Sequence, residues 1–107
     1  MTLAERYDSA RVFFDAGDYI SAAKRLAEVV AGAPDNLAAR LLLARAYYHS
    51  AQLTKAEATL REVIDRDPSE AYAHLMLGRV LQRQSRHEDA VGPLRVAAAM
   101  SDYVEVE

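Results

Sequence analysis

Two prolines 34 residues apart constrain this chain more than any other feature. Pro34 and Pro68 each close an amphipathic helical stretch, and the sequence superimposes on itself at that offset. Three segments align, 3–36, 37–70 and 71–104, and they consume nearly all of the 107 residues. The aligned columns carry the same kinds of side chain. Ala10, Ala44 and Gly78 coincide as small residues, and Phe13, Tyr47 and Leu81 as large ones about a turn later. Ala22, Ala56 and Ala90 coincide, followed by Leu26, Leu60 and Leu94 and then by Val29, Val63 and Ala97. Self-similarity at a period of roughly 20–50 residues marks a repeat architecture, in which each unit buries its apolar face only by stacking on the next.

Small and large positions alternating at these intervals predict two antiparallel helices per unit. First helices are expected over 3–15, 37–50 and 71–84, and second helices over 20–31, 54–66 and 88–100. Gly17-Asp18, Ala51-Gln52 and Ser85-Arg86 supply the turns between them. Asp35 or Asn36, and Ser69, suit the N-cap positions that follow the prolines. Gly92-Pro93 should loosen the last helix, because proline removes a backbone donor.

On these columns the chain resembles the tetratricopeptide repeat family, and the resemblance covers essentially its whole length. Arg6, Arg40 and His74 stand where the family often has tryptophan, and Ser9 stands where later copies have Leu43 and Leu77. The resemblance implies an all-α fold: three helix-turn-helix repeats in one domain over 1–107, stacked as a short right-handed superhelical solenoid, with a short acidic tail. It also implies a concave groove lined by the first helices. The groove-facing residues would be Ala4, Tyr7, Asp8, Arg11, Phe14 and Asp15 in the first repeat. They would be Ala38, Leu41, Leu42, Arg45, Tyr48 and His49 in the second, and Tyr72, Leu75, Met76, Arg79, Gln82 and Arg83 in the third.

That set is rich in large apolar and aromatic groups, and an exposed apolar patch marks an interface. Leu41 and Leu75 fit the core equally well. Arg11, Arg45 and Arg79 share one register, with Arg83 a turn beyond Arg79, so they form a ladder able to read carboxylates bidentately and to stack on rings. Asp8 and Asp15 flank Arg11 and could occupy it internally. Some members of the family clamp the C-terminal carboxylate of heat-shock chaperones with lysine, asparagine and arginine. Tyr7, Arg11, Leu42, Tyr72 and Met76 occupy those positions here without the expected residues, which disfavours that role.

The remaining composition narrows the function. A formal net charge of −3 calls for neither nucleic acid nor an anionic membrane. The absence of cysteine removes thiolate chemistry and suits a reducing compartment. Glu5, Asp8, Asp15 and Asp18 break up the N-terminal stretch, so no signal peptide is read there, and no segment has the length and apolarity to insert in a membrane. A cytoplasmic protein is expected. His49, His74 and His87 show no metal-ligand spacing, no phosphate loop or nucleophile motif is present, and neither cofactor nor catalysis is implied.

The expected function is therefore that of a protein–protein interaction adaptor. It would bind an acidic and apolar peptide segment of a partner through Tyr7, Arg11, Leu42, Arg45, Tyr48, His49, Tyr72, Met76, Arg79 and Arg83. The alternative is a self-assembling scaffold, a homo-oligomer formed through the uncapped C-terminal end of the stack. Val91, Leu94, Ala98, Tyr103 and Val104 would carry that contact.

Overall fold

The computed structural model of the chain describes residues 1–100, so Tyr103, Val104 and the rest of the acidic tail lie outside the described residues. Six helices follow one another: α1 (Leu3–Asp15), α2 (Tyr19–Gly32), α3 (Leu37–His49), α4 (Leu53–Arg66), α5 (Ala71–Arg83) and α6 (His87–Met100). Each odd helix packs against the even helix after it, and α2 and α4 pack in turn against α3 and α5. The result is an all-α solenoid of three helix-turn-helix repeats measuring 42 × 24 × 22 Å.

The helix ends repeat because the sequence repeats. Gly17, Ala51 and Ser85, each 34 residues from the next, adopt left-handed φ values of 83°, 60° and 61°. In each turn the N–H two residues beyond the C-cap reaches back five residues to a helix carbonyl: Asp18 to Phe13 at 2.9 Å, Gln52 to Tyr47 at 2.8 Å and Arg86 to Leu81 at 2.8 Å. This geometry satisfies carbonyls that would otherwise lack partners. At the opposite ends, Thr2 and Glu5 form a reciprocal capping box, and Asp18 and Asn36 accept from Ser21 N and Ala39 N, each at 3.1 Å. Glu70, rather than Ser69, caps α5. Its carboxylate accepts from Tyr72 N at 3.2 Å, while the Ser69 hydroxyl is turned to Asp67 at 2.6 Å. The α6 helix runs unbroken through Pro93.

Two buried clusters fill the seams between repeats. One joins Ala10, Ala22, Ala23 and Leu26 to Leu42, Leu43 and Ala46; the other joins Ala44, Ala56, Leu60 and Val63 to α5 and Ala90. Tyr47, partly buried, packs against both and makes the core continuous. At the third hairpin the small residue is Gly78, and a Cβ there would lie 2.5 Å from both Cγ and Cδ2 of Leu94. That contact lets α6 close on α5.

A polar seam recurs beside this core. Arg6 pairs with Glu28 at 3.0 Å, and 34 residues on Arg40 pairs with Glu62 at 3.1 Å. Arg40 is only 6% exposed. Its Nη2 donates to the Pro34 carbonyl at 2.8 Å, and His74 Nε2 makes the matching contact to the Pro68 carbonyl, also at 2.8 Å. A carbonyl can only accept, so that imidazole nitrogen carries the proton. Two of the substitutes for tryptophan, Arg40 and His74, thus tie their helices to the loops before them, while Arg6 ties α1 to α2.

Candidate peptide-binding face

The first helices place a compact group of rings and cations on one side of the stack. Arg45, midway along α3, is flanked by rings of both neighbouring repeats, with its Cζ 5.0 Å from the Phe14 centroid and 5.8 Å from the Tyr72 centroid. At these distances a guanidinium gains from the ring faces. Its Nε is buried and has no hydrogen-bond partner among the described residues, and no ion pair among them involves Arg45. The Nε of Arg40, in the internal polar seam, is buried in the same way, so what sets Arg45 apart is its two flanking rings.

Around it, His49 stacks on Tyr19 at 4.6 Å and meets Phe14 and Tyr48 edge-on at 6.0 and 5.5 Å. Arg83 lies over the Tyr48 ring at 4.9 Å and donates from Nη1 to the Tyr48 carbonyl at 3.1 Å. Burial, then the charges of Arg45 and Arg83, push the His49 pKa below its ordinary value.

The sequence-predicted site residues divide. Tyr48, Tyr72, Arg45, His49 and Arg83 come together in this group, and Arg79 stands half-buried on the same helix as Tyr72. Arg11 is solvent-exposed at the first repeat. A hydrogen bond from it to the neighbouring Tyr7, with the charges of Tyr7 and Asp15 behind it, holds its guanidinium above the ordinary pKa.

Leu42 and Met76 do not line the face. They are 5% and 7% exposed, and each packs in a core cluster where one repeat meets the next. Leu94, expected at an open end, is half-buried against Gly78, whereas Val91 and Ala98 are exposed. Tyr19 was missed by the sequence reading. It opens α2, at a position held by Leu53 and His87 in the other repeats, so no periodic signal points to it.

A repetitive stack of helical hairpins, with rings and guanidinium groups gathered on its first-helix side, defines a helical-repeat protein. The sequence matches the tetratricopeptide repeat family over residues 13–80, well over half of its length, and the chain belongs to that family. No curated protein matches it by sequence at a significant level. Among solved structures it is similar to MamA, from position 41 to the end, of Desulfovibrio magneticus RS-1. Identity is 28% over 94% of this chain and 57% of that one, with a TM-score of 0.84. An ArsTM double mutant of MamA RS-1 aligns at 28% identity over 92% of this chain and 55% of that one, with a TM-score of 0.86. The chain thus spans little more than half the length of these relatives. The second TPR of Spaghetti (RPAP3), bound to the HSP90 peptide SRMEEVD, shares the fold alone, at 19% identity over 92% of each chain and a TM-score of 0.85.

Proposed function

We propose that the chain is a non-catalytic protein–protein interaction adaptor that captures a peptide segment of a partner on the face of α1, α3 and α5, read as three tetratricopeptide repeats in one domain. The observation that carries this reading is Arg45, held between Phe14 and Tyr72 with no ion pair among the described residues. A flat cation between two rings suits a carboxylate flanked by apolar side chains. Arg83, over the Tyr48 ring at 4.9 Å, adds a second positive charge on the same face. The peptide would therefore be acidic and apolar, and Arg79 and Arg83 would extend the contact along α5. Among the described residues no helix is long and apolar enough to cross a membrane. The lack of cysteine supports a cytoplasmic location.

Calorimetric titration with a glutamate-rich peptide carrying leucine and tyrosine tests the proposal. Arg45→Ala should weaken binding by about tenfold or more, roughly 1.4 kcal/mol. Unchanged affinity refutes the role of Arg45.

The second reading is self-assembly through the outer face of α6. The equivalents of Leu94 in the first two repeats, Leu26 and Leu60, are fully buried by the next first helix. Val91 and Met100, by contrast, are 49% and 40% exposed. Together with Ala98, and with Tyr103 and Val104 of the tail, they would form the contact between copies. Sedimentation over a wide concentration range decides it, because a strict monomer at all concentrations removes this reading.

A further inference from the structure

Away from the ring cluster, α2 and α4 enclose a cleft of about 680 Å³ that the reading above does not use. Phe13 and Tyr47 lie in it, with Lys24, Arg25 and Lys55 around them and the exposed Ile20 alongside. Lys24 and Lys55 are the only lysines in the chain. Arg25 Cζ lies 6.0 Å from the Phe13 centroid and Lys55 Nζ 5.7 Å from that of Tyr47, so the cations sit against the rings.

Among the described residues, no ion pair involves Lys24, Arg25 or Lys55. The bordering acid, Glu28, is bonded to Arg6 at 3.0 Å. Asp18, which feels the Lys24 charge, accepts the Ser21 N–H as the α2 cap.

The repeat provides an internal control. Moving on by 34 residues, Lys55 becomes Asp89, Lys24 becomes Ala58, Ala23 becomes Glu57 and Gln52 becomes Arg86. In that next seam, Arg86 bonds Glu57 at 2.8 Å and Asp89 at 3.1 Å, and the charges cancel. Packing two repeats together therefore does not require an uncompensated basic cleft. The N-terminus of α4 adds to the positive field. Its cap residue, Gln52, makes no side-chain capping bond and turns its amide to Ser50 Oγ at 2.9 Å. The N–H groups of the first turn lack that side-chain acceptor and carry the positive end of the helix dipole.

We infer that the α2–α4 cleft is a second binding site, which takes an acidic segment of another polypeptide. Its carboxylate or phosphoryl groups would meet Lys24, Arg25 and Lys55, and an apolar side chain would cover Phe13, Tyr47 and Ile20. Nucleic acid fits less well, because only three cations line the cleft and the chain's formal net charge is −3. With both faces working, one chain would hold two segments at once.

The site is tested in the full chain carrying Arg45→Ala and Arg83→Ala, which silences the first-helix face and makes the two sites separable. The probes are a fluorescent glutamate-rich peptide with one leucine and one tyrosine, and its phosphotyrosine form. Saturable binding should persist in this background, with amide shifts over residues 20–28 and 52–55. Lys24→Glu with Lys55→Glu should lower affinity at least about tenfold while the melting temperature holds. Lys24→Gln with Lys55→Gln should lower it less, and added salt should weaken it. The inference is overturned if charge reversal leaves affinity unchanged, or if the shifts fall on α6. It is equally overturned if inorganic phosphate at peptide concentrations displaces the probe, or if a single-stranded oligonucleotide binds more tightly than either peptide.

Discussion

Replacing Gly78 by alanine should destabilise the protein, although alanine is the better helix former by about 0.8–1 kcal/mol. The reason lies in the third hairpin. The new Cβ would sit 2.5 Å from Leu94 Cγ and Cδ2, at least 1 Å inside the usual carbon–carbon contact of about 3.5–4.0 Å. Because Cγ is the branch point of the leucine, a rotation at its tip does not relieve the clash. Either Leu94 leaves its seat or α6 moves off α5. Overpacking of this kind costs about 1–3 kcal/mol, so the net change after the helix gain is roughly 0–2 kcal/mol of lost stability. For a domain of this size each kcal/mol moves the midpoint by about 4–8 °C. The sign should reverse in a Leu94→Ala background. There the clashing atoms are gone and only the helix preference remains, so Gly78→Ala should add up to about 1 kcal/mol. Paired thermal and urea melts of the four proteins in this cycle measure the coupling. If Gly78→Ala has the same effect in both backgrounds, the α5–α6 contact described here is wrong.

The left-handed turns make a second prediction. Ala51→Gly and Ser85→Gly should each stabilise by about 0.5–1 kcal/mol, since a Cβ in that conformation costs about 1–2 kcal/mol and glycine returns part of it as chain entropy; denaturant melts would show a raised midpoint with an unchanged slope. Leu26→Ala and Leu60→Ala should each cost about 2–5 kcal/mol, with Leu94→Ala costing less because Leu94 is only half-buried; equal losses at all three would contradict the open outer face of α6. His49 sets a pH dependence. Its pKa lies below the unfolded value of about 6.5, so between the two the unfolded chain binds more protons and stability falls as the pH drops through that window. His49→Gln should flatten that part of the curve. An acidic ligand beside His49 should raise its pKa, so binding should take up protons, visible by calorimetry in buffers of different ionisation enthalpy.

The helix pairs, their order and most of their ends could be read from the 34-residue register, because close packing of one hairpin on the next demands a small residue opposite a large one at fixed offsets. What escaped lies where one dimension of periodicity carries no information. Leu41, Leu42 and Leu43 are consecutive apolar residues, so their pattern does not say where the core stops; packing against the first hairpin decides, burying Leu42 and Leu43. Met76 is lost to the core in the same way. Ser69 has the better capping side chain by type, but the loop turns it to Asp67 and leaves Glu70 at the cap. The α2–α4 cleft went unread because its cations sit at positions that the other repeats fill differently, so superimposing the repeats hides them.

The central claim is that ligand capture occurs on the first-helix face around Arg45. The most direct measurement is an NMR titration of the labelled chain with an acidic, apolar peptide, following backbone amides together with the arginine Nε–H signals. The account predicts saturable shifts centred on Phe14, Arg45, His49 and Tyr72, a perturbed Arg45 Nε–H, and loss of that pattern in Arg45→Ala. Shifts confined to Val91–Met100, or shifts that follow protein concentration without peptide, would contradict it.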